Sequence, residues 1–236
     1  MSPEPVRPDI TLLDGLATTR AIRRYLDEPV PDDVLAQILF AASRAPSGSN
    51  RQAFRFIVLR GERPARQARV ALGESARRLW ASKRRNDGYD VGSGADGSSP
   101  KSRLARTLTD YAEHLELAPI VILACMIRHR PGPEETIGAS LYPACQNLLL
   151  AARALGYGGV MTTWQRACEP ELREVLEIPD DVFLGATITL GKPEGAHGPV
   201  RRRPLDEFVF AGKWGVSAPW AVDPPGARHT SAGPPG

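Results

Sequence analysis

Little in this chain equips it for chemistry of its own. Only three cysteines and four histidines occur in 236 residues. Cys125, Cys145 and Cys168 lie far apart without metal-ligand spacing. Cys125 falls in an apolar run and Cys145 in a helical pattern, so buried small thiols in a reducing compartment are expected. His114, His129, His197 and His229 form no ligand set and read as surface or satisfied core. Ser47 stands in Pro-Ser-Gly-Ser, not in a nucleophile elbow, and no histidine is near it in sequence. No apolar run approaches a membrane span, and residues 1–14 hold no apolar signal core. Charge of one sign is scarce as well: 30 Lys and Arg face 27 Asp and Glu, and a net +3 implies no nucleic-acid surface. The expectation is a soluble, cytoplasmic protein without nucleic-acid or membrane partners. An enzyme lacking its own acid–base or metal set borrows chemistry from a cofactor.

What is present is an apolar share of 42%, enough at this length to bury a substantial core. Leu12 to Tyr25 reads as a first helix ending in basic residues. Pro31-Asp32-Asp33 opens a second, whose Val34, Leu35, Ile38, Leu39 and Ala42 make one stripe. Phe54–Leu59 reads as a strand, and Arg63 to Arg85 as a very basic helix. Asn86 to Ser102 is rich in glycine and serine and reads as a mobile loop. Its Gly92-Ser93-Gly94-Ala95-Asp96-Gly97 matches a dinucleotide fingerprint in form, but no strand precedes it and no helix start follows. A helix from about Arg103 leads to Pro119–Met126, a strand buried on both faces. Glu134 to Gly156 is the longest helical pattern, with Pro143 marking a kink or a late start. Gly158–Trp164 is a turn and strand, Glu171 to Glu177 a short helix, and Phe183–Leu190 a strand. Residues 211–236 carry Trp214 and Trp220 among glycines and prolines and form a tail without its own core. The class is α+β.

Two stretches carry the functional signal. Ala45-Pro46-Ser47-Gly48-Ser49-Asn50-Arg51-Gln52 joins a helix to a strand with small side chains, donors and acceptors. Such a loop suits a flat, polar-edged ligand. Arg20, Arg23 and Arg24 make a basic cluster upstream, and Arg201-Arg202-Arg203 a second one after the last strand. Either reads alone as a solvated face; together they suggest one anionic target, since the guanidinium fork binds phosphate bidentately.

The ordered set Thr19-Arg20-Ala21-Ile22-Arg23-Arg24-Tyr25, Pro29-Val30-Pro31, the Pro46–Gln52 loop, Leu141 to Gly156, Leu190-Gly191-Lys192-Pro193 and Arg202-Arg203-Pro204-Leu205-Asp206-Glu207 resembles the FMN-dependent nitroreductase family, from about residue 14 to 210. The resemblance implies a nitroreductase-like α+β domain over residues 11–210, with a central mixed, mostly antiparallel sheet flanked by helices. It also implies a homodimer with FMN at the interface. The FMN phosphate then falls to Arg20, Ala21, Arg23, Arg202 and Arg203. Pro46, Ser47, Gly48, Ser49 and Asn50 line the flavin from the partner subunit, and Gly159, Val160, Met161, Thr162 and Thr163 lie near the isoalloxazine. Residues 62–118 are expected to form a lid, and Trp214 and Trp220 leave the tail either wrapping the partner subunit or hanging free. Two positions depart from the pattern: Ala21 replaces a serine, and Gln52-Ala53-Phe54 replaces Gln-Pro-Trp.

The implied activity is ping-pong transfer from NADPH or NADH through FMN to a small-molecule acceptor, a nitroaromatic or quinone, with no catalytic side chain assigned. Arg77, Arg78, Lys83, Arg84 and Arg85 are candidates for attracting NADPH phosphates, with a solvated helix as the plain alternative. A reductive dehalogenase or flavin-fragmenting member is the second reading, with Glu74, Tyr89, Lys101 and Tyr111 available to grip a zwitterion. A non-catalytic flavin-binding protein is the third.

Overall fold

The computed structural model describes residues 10–129 and 134–228. Its frame is one sheet: β1 (Phe54–Leu59), β2 (Ile120–Ile127), β3 (Gly158–Thr162) and β4 (Val182–Gly191), in the order β1-β2-β4-β3. All three pairings among the described residues are antiparallel, so a mixed sheet would need a strand from outside them. Among the described residues six α-helices surround it: α1 (Leu12–Thr18), α2 (Asp32–Ala42), α3 (Arg63–Asn86), α4 (Pro100–His114), α5 (Glu134–Ala154) and α6 (Glu169–Leu176).

The continuous apolar run of β2 follows from burial on both faces. Ile120, Ile122 and Ala124 pack with α2 and α5 through Leu35, Ile38, Leu141, Cys145 and Leu148. Val121, Leu123 and Cys125 face the other way, onto Ala68, Leu72, Ala76 and Trp80 of α3, Tyr111 and Ala112 of α4, and Leu172 of α6. The register shifts between Ala124 and Cys125, opposite Gly185. A Cβ at Gly185 would stand 2.3 Å from Leu141 Cδ2, so glycine lets α5 approach the bulge.

Several expected boundaries move. α1 ends at Thr18, not near Tyr25, because Thr18 and Thr19 turn their hydroxyls onto the carbonyls of Asp14 and Gly15, at 2.6 and 2.7 Å. The chain then runs extended across the end of the sheet, with Ile22 N–H donating to Gly159 O and Leu26 N–H to Lys192 O. α5 runs through Pro143, so the proline does not delay its start. α6 begins at Glu169 and ends where Glu177 adopts a left-handed φ of 52°.

The glycine-rich segment expected to be a mobile loop runs through successive turns and a short 3-10 helix at Gly92–Gly94 before α4. The Tyr89 ring meets Trp80 at 5.1 Å, and Arg84 holds Asp90 at 2.8 Å. A Cβ at Gly94 would collide with Tyr89 O at 2.1 Å. α4 starts at Pro100 because Ser99 Oγ caps it, accepting from Ser102 N–H at 3.0 Å, and proline suits the first turn. Within the 62–118 region, α3 buries Ala65, Ala68, Ala71, Leu72, Ala76 and Trp80 against the sheet, while most of residues 86–104 are exposed.

Candidate functional site

Extended backbone alternates its side chains, and this separates two arginines that a helix would have placed on one face. Arg20 is exposed and turns toward the 197–198 loop; Ala21, beside it, is exposed too. Arg23 turns the opposite way, among Tyr25, Tyr89 and Tyr111, and lines a cleft of ≈ 500 Å³ with Arg24, Asp110 and His114. Burial lowers the Arg23 pKa, partly offset by those tyrosines, and its Nε is buried without a hydrogen-bond partner. Arg20 and Arg23 therefore have different neighbours in the folded chain.

A chain of hydroxyls fixes this segment. Tyr111 Oη lies 2.9 Å from Thr189 Oγ1, Tyr25 Oη lies 2.8 Å from the same oxygen, and Tyr25 donates to Ile22 O at 2.7 Å. Burial pushes Tyr111 up to about 12 and Tyr25 well above its ordinary value. Both phenols stay neutral, so they orient the backbone and exchange no protons.

The second basic motif meets the first. Val200 N–H donates to Ala17 O at 3.1 Å, bringing the chain before Arg201 against the end of α1. Arg202 is exposed, its guanidinium on Arg201 O at 2.9 Å, whereas Arg203 pairs with Glu207 at 3.5 Å. Arg202 is thus the freer of the two to meet an anion. Two further groups, which sequence reasoning did not single out, stand beside Arg20. Arg153 closes α5, and His197 reaches back to Tyr157 O at 3.1 Å. Arg153 Nε and His197 Nδ1 are buried without partners. Burial lowers the His197 pKa, and the positive charges of Arg153 and Arg20 lower it further. Among the described residues neither Arg20 nor Arg153 has a carboxylate partner. Such a cluster lacks only an anion, which fits the phosphate of a flavin.

The Pro46–Asn50 loop is exposed except at half-buried Ser47, and it is strained. Ser49, Asn50 and Gln52 take φ of 54°, 52° and 49°, left-handed values unusual for such residues. Ser47 Oγ accepts from Gln52 N–H at 2.9 Å, and Gly48 N–H donates to Ser140 Oγ at 3.2 Å. Ser140 and Arg153 lie more than three turns apart on α5, about 20 Å along its axis. Within one chain the loop and the cationic cluster stand at opposite ends of that helix.

β3 carries the third part. Gly159 and Val160 are buried, Thr162 is half-buried, and Met161 and Thr163 are exposed. A Cβ at Gly159 would come within 2.4 Å of Thr189 O. The turn that follows is braced from below: Ser75 donates to Trp164 O at 2.6 Å, Trp164 packs on Tyr111 at 5.4 Å, and buried Gln165 Oε1 accepts from Thr187 Oγ1 at 3.1 Å. The basic residues of α3 face partners of their own. Arg77 meets Glu116 at 2.7 Å, Arg78 meets Ala167 O at 3.0 Å, Lys83 pairs with Asp87, and Arg84 pairs with Asp90. Among the described residues no group of histidine, cysteine and carboxylate could hold a metal, and no helix could cross a membrane. His229 lies outside them.

The family model described as the nitroreductase family matches residues 16–192, three quarters of the chain. The chain belongs to the nitroreductase family. An NADH dehydrogenase of Thermus thermophilus is 27% identical over 208 residues, covering 81% of this chain and 91% of that protein. Iodotyrosine deiodinase 1 of Rattus norvegicus is 27% identical over 205 residues, covering 82% of this chain and 67% of that protein. A Desulfovibrio desulfuricans protein solved in complex with FMN is 26% identical, with a TM-score of 0.63 over 87% of this chain and 99% of that one. The fold is therefore the nitroreductase fold. Within it stand the four groups considered for gripping a zwitterion. Lys101 stands over the Tyr89 ring at 5.6 Å, but Tyr111 is buried on Thr189 and Glu74 is exposed on α3.

Proposed function

We propose that this nitroreductase-family protein is an FMN-dependent NAD(P)H oxidoreductase that reduces nitroaromatic, quinone or similar small acceptors in a ping-pong cycle. The observation that carries the reading is the cationic cluster of Arg20, Arg153 and His197, with two buried nitrogens lacking partners. Bound FMN would supply the redox chemistry, accepting an electron pair from NAD(P)H and returning it to the acceptor. The chain's own residues bind and orient. Arg20 and Arg202 hold the phosphate, and the exposed end of β3 at Met161 to Thr163 borders the ring system. Arg23 supplies a positive charge away from the phosphate, set by Tyr25 and Tyr111.

The Pro46–Asn50 loop and the phosphate cluster stand about 20 Å apart along α5, which supports a site shared between two subunits. In a homodimer the loop of one subunit lines the flavin held by the other. Exposed Leu12, Leu13, Leu16, Phe40, Trp214 and Trp220 offer the apolar surface that such an assembly covers. A dehalogenase reading has the deiodinase relative in its favour.

An anaerobic absorbance scan tests the proposal. A flavin spectrum that bleaches with NADPH and returns with a nitroaromatic or quinone is expected. A bound flavin that NADPH leaves unreduced favours the non-catalytic flavin-binding reading. A protein that takes up no FMN overturns both.

A further inference from the structure

We propose that His197 and Arg153 join Arg20 in the subsite for the flavin's terminal phosphate, His197 binding it as a doubly protonated ring. This rests on the flavin reading above.

Three elements bring three cation-forming side chains together: the extended segment after α1 carries Arg20, the last turn of α5 carries Arg153, and the loop after β4 carries His197. The Tyr157 carbonyl can only accept, so His197 Nε2 at 3.1 Å bears a proton. Nδ1 is then the free position of the ring, and it is buried without a partner. Arg153 Nε can only donate, and it too is buried without an acceptor. Orphaned buried donors are rare enough to ask for a missing acceptor. Glycine makes the seat: a Cβ at Gly158 would lie 2.9 Å from His197 Nε2 and 2.6 Å from Ile22 Cγ1.

Arg153 and Arg20, both positive, act on the ring, which also meets the Tyr157 carbonyl and lies near Ile22 and Gly158. With no anion present these charges and burial keep the ring neutral. A phosphate monoester brings about −1.5 to −2 charges and three acceptor oxygens at neutral pH. It reverses the sign of the local field, satisfies Arg153 Nε, and makes a proton on Nδ1 favourable as a third donor. Binding the phosphate therefore takes up a proton at His197.

Ring-nitrogen NMR of protein with isotope-labelled histidine, with the His197 signal identified by its loss in His197→Gln, reads this directly. The expected result is a His197 that titrates below the ordinary histidine value in the apoprotein and above it with FMN, but not with riboflavin, which lacks the phosphate. In parallel, His197→Gln and Arg153→Gln should each weaken FMN about tenfold and leave riboflavin unchanged. FMN bound with His197 unshifted, or equal losses for FMN and riboflavin, overturns this subsite alone. No uptake of FMN overturns the flavin reading, and the subsite with it.

Discussion

Two regions of this molecule are rich in cations, and they differ in what faces them. Along α3 three of the basic side chains find neutralising carboxylates: Glu116 for Arg77, Asp87 for Lys83, Asp90 for Arg84. Around the end of α1, Arg20, Arg153 and His197 face one another with no carboxylate between them. The first region is the more basic in sequence. The second is the better candidate for an anion, because its charges remain uncompensated once the chain has folded. Local neutralisation, not the density of arginine, separates a solvated helix from a binding site.

The comparison breaks most sharply at Arg20. Arg20→Gln should weaken FMN by about ten- to a hundredfold while sparing riboflavin, as loss of a charge-assisted contact to phosphate would. Arg84→Gln, on the compensated side, should leave FMN affinity unchanged. Fluorescence titration of the two apoproteins decides it, and equal losses would erase the distinction.

Next in size is the hydroxyl chain that holds the arginine segment. Tyr111→Phe removes one buried hydroxyl from Thr189 and should cost about 1 kcal/mol in chemical denaturation. Tyr25→Phe strips the partner from Ile22 O as well and should cost more.

The smallest effect is on pH dependence. The His197 pKa is lowered in the folded apoprotein, so the unfolded chain binds its proton more readily. That contribution to stability is present above the unfolded value, about 6.5, and is lost as pH falls through it toward the lower folded value. His197→Gln should flatten this part of the melting-temperature profile. A slope unchanged by the substitution would place its origin elsewhere.

Much of this was legible in the sequence, and the losses have physical causes. Phe54–Leu59 is the expected strand residue for residue, and the stripe of Val34, Leu35 and Ile38 does face the core. Patterning by period sufficed where one face or both faces are buried. It failed at Thr18 and Thr19, whose hydroxyls end α1 early and turn Arg20 and Arg23 onto opposite sides. Composition did not show the close approaches within Asn86 to Ser102, such as Gly94 against Tyr89 O. Arg153 and His197 were missed because their significance lies in what they lack. Forty-odd residues apart, each reads alone as ordinary surface, and only the fold reveals buried nitrogens without partners. The rigid packing of α3 was hidden too, since its alanines carry little hydrophobic signal yet fill the space under the sheet.

The claim on which the rest depends is that each flavin site is shared between two copies. Co-expression of two differently tagged chains tests it most directly, one carrying Arg20→Gln with Arg202→Gln and the other Ser47→Ala with Asn50→Ala. Each variant alone should bind FMN poorly. The mixed dimer contains one site with every defect and one with none, so the account predicts recovery of one FMN per dimer at the affinity of the unmodified protein. A mixed species that binds no better than either parent would contradict it.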